Sequence, residues 1–170
     1  MSAALVVGLV GLFGVIVGGL LQIEGSRRSQ IREQQLLAAT DFDAGVTGIF
    51  VASERRARKL NLPGDPRGLT QEQMHKWLAA QRASVELTRD EARQLLHHGS
   101  RVELVFGVGS VTASQAAEAV KGAHDMLEIV ADQGAERADE FVEAWCAAVD
   151  AGGAFRIAAH DVFSRPVWRR

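Results

Sequence analysis

Residues 141–162 read FVEAWCAAVDAGGAFRIAAHDV, and their apolar or small positions Phe141, Trp145, Ala148, Gly152, Phe155, Ala159 and Val162 alternate steps of four and three. That is the period of a helix with one buried face, and not the twofold alternation of a strand. The spacing predicts a helix packed as a seam in a bundle or coiled coil. Gly152-Gly153 costs roughly 1 kcal/mol per glycine in mid-helix, which predicts a close helix approach or a kink, and Pro166 is expected to end the element.

Upstream, Thr112 and Gln115 have the form of a capping box, followed by the apolar stripe Ala116, Val120, Ala123, Leu127 and Val130 that ends near Gly134. The segment Val102-Glu103-Leu104-Val105-Phe106 is too short for its period to decide, but a lone strand would have no partner, so it is expected to be helical or irregular. Thr70 with Gln73 is another capping box, opening a helix whose face is Met74, Trp77, Leu78, Val85, Ala92, Leu95 and Leu96, with Gly99 as its stop. Thr88-Arg89-Asp90-Glu91 offers a second start, so a break near Thr88 stays open. Leu62-Pro63-Gly64-Asp65-Pro66-Arg67-Gly68 reads as a loop. Before it, Phe42, Val46, Ile49, Ser53, Ala57 and Leu60 keep helical spacing in a helix that occupies most of 28–60. Four helices with one apolar stripe each can bury those stripes only against one another. The expected fold is all-α, an antiparallel four-helix bundle over residues 27–170.

Residues 1–26 need a different solvent. No ionisable side chain occurs before Glu24, and Ala3–Ile23, AALVVGLVGLFGVIVGGLLQI, rises about 30 Å as a helix, the hydrocarbon thickness of a bilayer. A transmembrane anchor is expected, with the lipid bilayer as its partner. A cleaved signal would begin with a positive charge; here Arg27, Arg28 and Arg32 come after the apolar run. The positive-inside bias then places the N-terminus outside and the remaining chain in the cytoplasm, as a single-pass protein of the inner membrane. Ala4, Gly8, Gly11, Gly14 and Gly18 form a small-residue stripe suited to homo-oligomer packing through this helix. Whether the helix runs on or breaks at Gly25 is left open.

Lys and Arg number 19 against 21 Asp and Glu, for a net charge of -2, which supplies no electrostatic attraction to nucleic acid. Cys146 stands alone, so no internal disulfide can form, and Trp145 and Ala147 beside it suggest a packed thiol. Arg27, Arg28 and Arg32 would each gain about 1 kcal/mol beside an anionic leaflet. The run Glu54-Arg55-Arg56-Ala57-Arg58-Lys59 lies about 45 Å further on in a continuous helix, and reads as a solvated helix end or as a site for an acidic partner. Glu118, Asp125, Glu128, Asp132, Glu136, Asp139, Glu140 and Glu143 make the later helices acidic. They would either complement a basic first helix or form a docking face for a cytoplasmic protein.

The chemistry-bearing patterns are thin. Glu72-x-x-His75 is the unit that di-iron bundles use twice, and it occurs once. His97-His98 fits a helix end, where imidazolium complements the dipole. His124 with Glu128 and His160 with Ser164 stand four apart without a third catalytic group. Gly107-Val108-Gly109-Ser110 lacks the Lys-Ser/Thr of a phosphate loop and reads as a turn. No catalytic, metal or cofactor residue is assigned.

In its uncharged first helix, Arg27-Arg28-Ser29-Gln30-Ile31-Arg32-Glu33-Gln34, Thr40-Asp41-Phe42 and the apolar run Val102–Gly107, the layout resembles a loose group of single-pass proteins of actinobacteria and their phages. The resemblance implies a membrane anchor with a helical domain and brings no catalytic residue or ligand. The expected function is a non-enzymatic, membrane-anchored interaction module. The alternatives are a phage-related or toxin-like membrane effector and a small ligand- or metal-binding helical enzyme.

Overall fold

The computed structural model describes the backbone of residues 3–83, 85–131 and 137–164, and the side chains of residues 22, 24–83, 89–131 and 137–164. Among the described residues five helices occur in order: α1 (Ala3–Arg58), α2 (Gln71–Arg82), α3 (Val85–Phe106), α4 (Val111–Ala131) and α5 (Ala138–Ser164). No strand occurs among the described residues. The chain divides into two units, residues 1–36 and 37–170. The N-terminal segment is one long apolar helix, and α1 continues through Gly25 without a break. Gly134 and Pro166, expected to end helices, lie outside the described residues, as do the side chains of Val85 and Thr88, while the backbone of α3 runs through Thr88 without a break.

In the first unit the side chains of residues 24–34 are exposed, and Arg28 donates to Glu24 at 2.8 Å one turn before it.

In the second unit, α1 stops before any proline. Asn61 adopts φ 57°, the Leu62 N–H donates to the Ala57 carbonyl at 3.2 Å and the Asn61 N–H to that of Arg58 at 3.0 Å. This is a Schellman stop, with Asn at the left-handed position and an apolar residue, Leu62, folded back beneath it. Leu60 therefore lies past the helix and is exposed, while Leu62 takes the buried place expected of it. The loop is held by Asp65, whose carboxylate accepts from the Arg67 backbone N–H at 2.9 Å and from its guanidinium. The hydrogen bonds from Arg67 hold the Asp65 carboxyl below its ordinary value of 3.8. A depressed carboxyl stabilises the fold above that value and loses the contribution as pH falls through the lowered one. Asp65→Asn is thus expected to lower stability slightly at neutral pH and to flatten the acid limb of a denaturation series; an unchanged acid limb would show that the pair contributes nothing.

Thr70 opens α2 as expected: the Gln73 N–H donates to Thr70 Oγ1 at 3.3 Å, and the Thr70 N–H to Gln73 Oε1 at 3.0 Å. The helix expected from Thr70 to Gly99 is in fact two: α2 ends at Arg82 with Ala83 as its cap and α3 begins at Val85, a few residues before the second start offered at Thr88. Gly99 does not stop α3, which runs on to Phe106, so the segment 102–106 is helical. A Cβ at Gly99 would lie 3.0 Å from Val120 Cγ2, so this glycine lets α3 and α4 approach. The stop is Gly107, at φ 90°. The cap of α4 is likewise Ser110 and not Thr112: Ser110 Oγ accepts from the Ala113 N–H at 3.2 Å, while Thr112 is buried.

Small residues decide the packing. A Cβ at Gly122 on α4 would stand 2.8 Å from Ala148 Cβ and 3.0 Å from its Cα on α5. One at Gly152 would stand 3.0 Å from Val46 Cγ1 on α1, while Gly153 has open space. Close approach is therefore the use of Gly152. One core cluster joins Phe42, Val46 and Ile49 of α1 with Leu95 and Val102 of α3, Ala116, Ala119 and Ala123 of α4, and Phe155 of α5. The Phe42 and Phe155 rings meet at 4.6 Å. A second cluster surrounds Trp77 of α2, with Phe141 at 5.1 Å and Trp145 at 5.6 Å between ring centres.

Arg56 is not part of a solvated end. It is half-buried, donating to Gln81 Oε1 at 3.1 Å and to Glu91 at 3.4 Å, while Gln81 Nε2 donates to the Ser53 carbonyl at 3.1 Å. Gln81→Met keeps the volume but strands the inner side of the guanidinium, and is expected to cost about 1–3 kcal/mol in urea denaturation. No loss there would mean that Glu91 alone suffices for Arg56.

Candidate interaction surface

The histidine patterns separate in space. Glu72 is engaged by Lys76 at 2.7 Å, which lowers its carboxyl, and His75 is exposed. His97 and His98 lie within α3 and not at its end, so they do not complement a helix terminus. His124 sits 3.4 Å from Glu128 as spaced, whereas His160 neighbours Asp161 at 4.0 Å and Ser164 donates to the Asp161 carbonyl. No group of three or more metal-ligating side chains gathers among the described residues. Gly107 and Gly109, both at positive φ, form the tight turn between α3 and α4.

The described acidic positions are divided between two helices. Glu118, Asp125 and Glu128 lie on α4, while Asp139, Glu140 and Glu143 lie on the first turns of α5, where Glu140 pairs with Arg137 at 2.6 Å. Asp139 and Glu143 border a shallow depression of about 760 Å³ with Gly68 and Gln71. Asp132 and Glu136 lie outside the described residues. Charge pairing between helices runs in both senses, since Arg56 of α1 meets Glu91 of α3 while two acidic residues of α1 receive arginines. Asp41 of α1 receives Arg101 of α3 at 2.8 Å, and Asp43 of α1 receives Arg156 of α5.

Of the flanking arginines, Arg28 is matched by Glu24, and Arg27 and Arg32 are exposed. The contacts of Ala4, Gly8, Gly11, Gly14 and Gly18 lie outside the described side chains. Among described side chains, the stretch Glu24–Arg58 is also long and apolar enough to cross a membrane by length and composition. Within it Phe42, Val46 and Ile49 are buried in the core of the second unit, and Asp41 and Asp43 are ion-paired.

The feature that spacing did not single out is a groove of about 790 Å³ between the outer faces of α3 and α4. Gly99, Ala113, Ala117 and Val120 give it an apolar floor, and Arg93, Glu103, Lys121 and Glu128 are among its rim residues. Leu96, expected in the core, is 57% exposed on its wall. The signal was present in the sequence: α3 carries Leu96 and Leu104 in addition to the Leu95 and Val102 that the core uses. Compared with models of protein families, with curated proteins and with solved structures, the chain matches none.

Proposed function

We propose that the chain is a membrane-anchored helical interaction module, with residues 1–26 crossing the inner membrane and residues 27–170 held on the cytoplasmic side. The observation that carries this reading is the continuity of α1 from the uncharged stretch Ala3–Ile23 into the core positions Phe42, Val46 and Ile49. A stretch of about 30 Å without a charge finds its solvent in lipid, and Arg27, Arg28 and Arg32 favour the cytoplasmic side for the helical domain beyond them.

Side-chain contacts of α1 with α3 and α5, and contacts of α4 with α3 and α5, support an antiparallel four-helix bundle with α2 set against Phe141 and Trp145 of α5. An apolar groove with charged rims suits a macromolecular partner and supports reading the domain as an interaction module. Alkaline carbonate extraction and protease protection test the anchor. A C-terminally tagged chain is expected to stay with the membrane pellet, to resist protease added to spheroplasts, and to be digested in inverted vesicles. Release by carbonate would overturn the anchor, and digestion in spheroplasts the orientation.

A further inference from the structure

The most exposed large apolar side chains of the second unit include Leu104 of α3, Val108 in the turn after it and Val111 at the start of α4. Leu104, Val108 and Val111 are 84%, 85% and 69% exposed, the highest values among the large apolar side chains described, and Leu96 stands on the groove wall. Apolar surface gathered this way marks an interaction face. We infer that its occupant is a second copy of this chain, related by a twofold axis parallel to the helices, so that α3 of each copy lies against α4 of the other.

Charge register carries the inference. Gly99 lies opposite Val120, which brings Arg93 on α3 level with Met126, within a turn of Glu128 on α4. The same register puts Glu103 level with Ala116, a little over a turn below Lys121. Helical side chains lean toward their own N-terminus, so Glu103 and Lys121 lean toward each other's level. A twofold axis parallel to the helices keeps every level and exchanges α3 for α4. It therefore sets Arg93 against the partner's Glu128 and Glu103 against the partner's Lys121, each contact made twice. Within one chain Arg93 pairs with Asp90 and Glu128 with His124, both at exposed positions, and such pairs are weak enough to yield. A perpendicular axis that sets Arg93 against the partner's Glu103 would bring Lys121 against the partner's Lys121, and it would put the two N-terminal ends on opposite sides. The choice of axis rests on the anchored reading, because two chains held in one membrane enter from the same side.

The test uses full-length chains carrying two different tags, co-expressed and co-purified from solubilised membranes. One variant reverses α3 (Arg93→Glu with Glu103→Lys), the other reverses α4 (Lys121→Glu with Glu128→Lys). All four sites are exposed, so folding is expected to be kept, and circular dichroism checks it. Each variant should lose about tenfold or more in pairing with itself, and the two together should return to within about twofold of the unmodified chain. Leu96→Asp should lower pairing without being rescued by either. If the α3-reversed chain still pairs with itself, the axis is perpendicular and the parallel arrangement is wrong. A monomeric unmodified chain would overturn the inference. So would pairing that ignores the reversals and disappears only with Gly14→Leu and Gly18→Leu. If mixing restores pairing while the chain fails to pellet with membranes, the anchored reading falls and the groove contact stands.

Discussion

Trp77→Ala is expected to remove about 3–5 kcal/mol of stability, the range for truncating a large aromatic in a closed core. Trp77 is fully buried, and it is the largest of the side chains that tie a short helix to the rest of the domain. Its ring meets Phe141 obliquely and Trp145 edge-on, 5.1 and 5.6 Å between centres, and Met74 and Leu78 lie in the same cluster. The twelve residues of α2 are too few to hold a helix alone, so the loss should appear as detachment of α2 as well as a lower midpoint. Equilibrium urea denaturation followed by tryptophan fluorescence measures the first quantity, and hydrogen exchange over 71–82 the second. Trp77→Phe keeps an aromatic contact and should lose much less. Equal losses for alanine and phenylalanine would show that the indole, and not the packing of a ring, is what the site requires.

Gly122→Val is expected to cost about 3 kcal/mol, at the upper end of overpacking effects. The obstruction is the backbone of α5: the added Cβ would lie 3.0 Å from both Cα and N of Ala148, and neither can rotate aside as a side-chain tip would. The helices must separate, and the alanine contacts on either side, Ala119 and Ala123 on α4 and Ala151 on α5, would open with them. Gly153→Ala is the matched comparison, since a Cβ there meets nothing within 4 Å. It should gain about 0.5–1 kcal/mol from the reduced entropy of the unfolded chain. Thermal unfolding of both variants beside the parent protein checks the pair of signs. A neutral Gly122→Val would mean that α4 and α5 do not approach as closely as the structure has them.

The two groove reversals and these two core changes separate cleanly. Core variants should reduce stability while leaving self-pairing of the folded fraction intact, and groove variants should do the opposite. That division follows from burial: Trp77 and Gly122 are inside the fold, whereas Arg93, Glu103, Lys121 and Glu128 are on its surface.

Helix identity was legible from spacing wherever one apolar face ran over several turns. Phe141, Trp145, Ala148, Gly152, Phe155 and Ala159 are all buried, as their four-and-three spacing requires, and the Thr70–Gln73 box closes as its residue types predict. These features are local, because period and capping depend only on neighbours along the chain. Helix ends were less legible. Gly99 and Gly107 are the same residue, yet one passes through a helix and the other stops it at φ 90°; what differs is Val120 of another helix standing against the first. Thr112 and Ser110 are both capable caps, and burial of Thr112 against the core left the role to Ser110. Likewise Leu95 and Leu96 are adjacent and chemically alike, but only the direction of α3 toward α1 and α4 sent the first into the core and the second to the groove. The sequence by itself determined that the described chain is helical, where its long apolar faces lie and that an uncharged stretch precedes the domain. Only the tertiary structure decided which glycines are contacts, which charges pair across helices and which leucines face outward, since each depends on a neighbour distant in the chain.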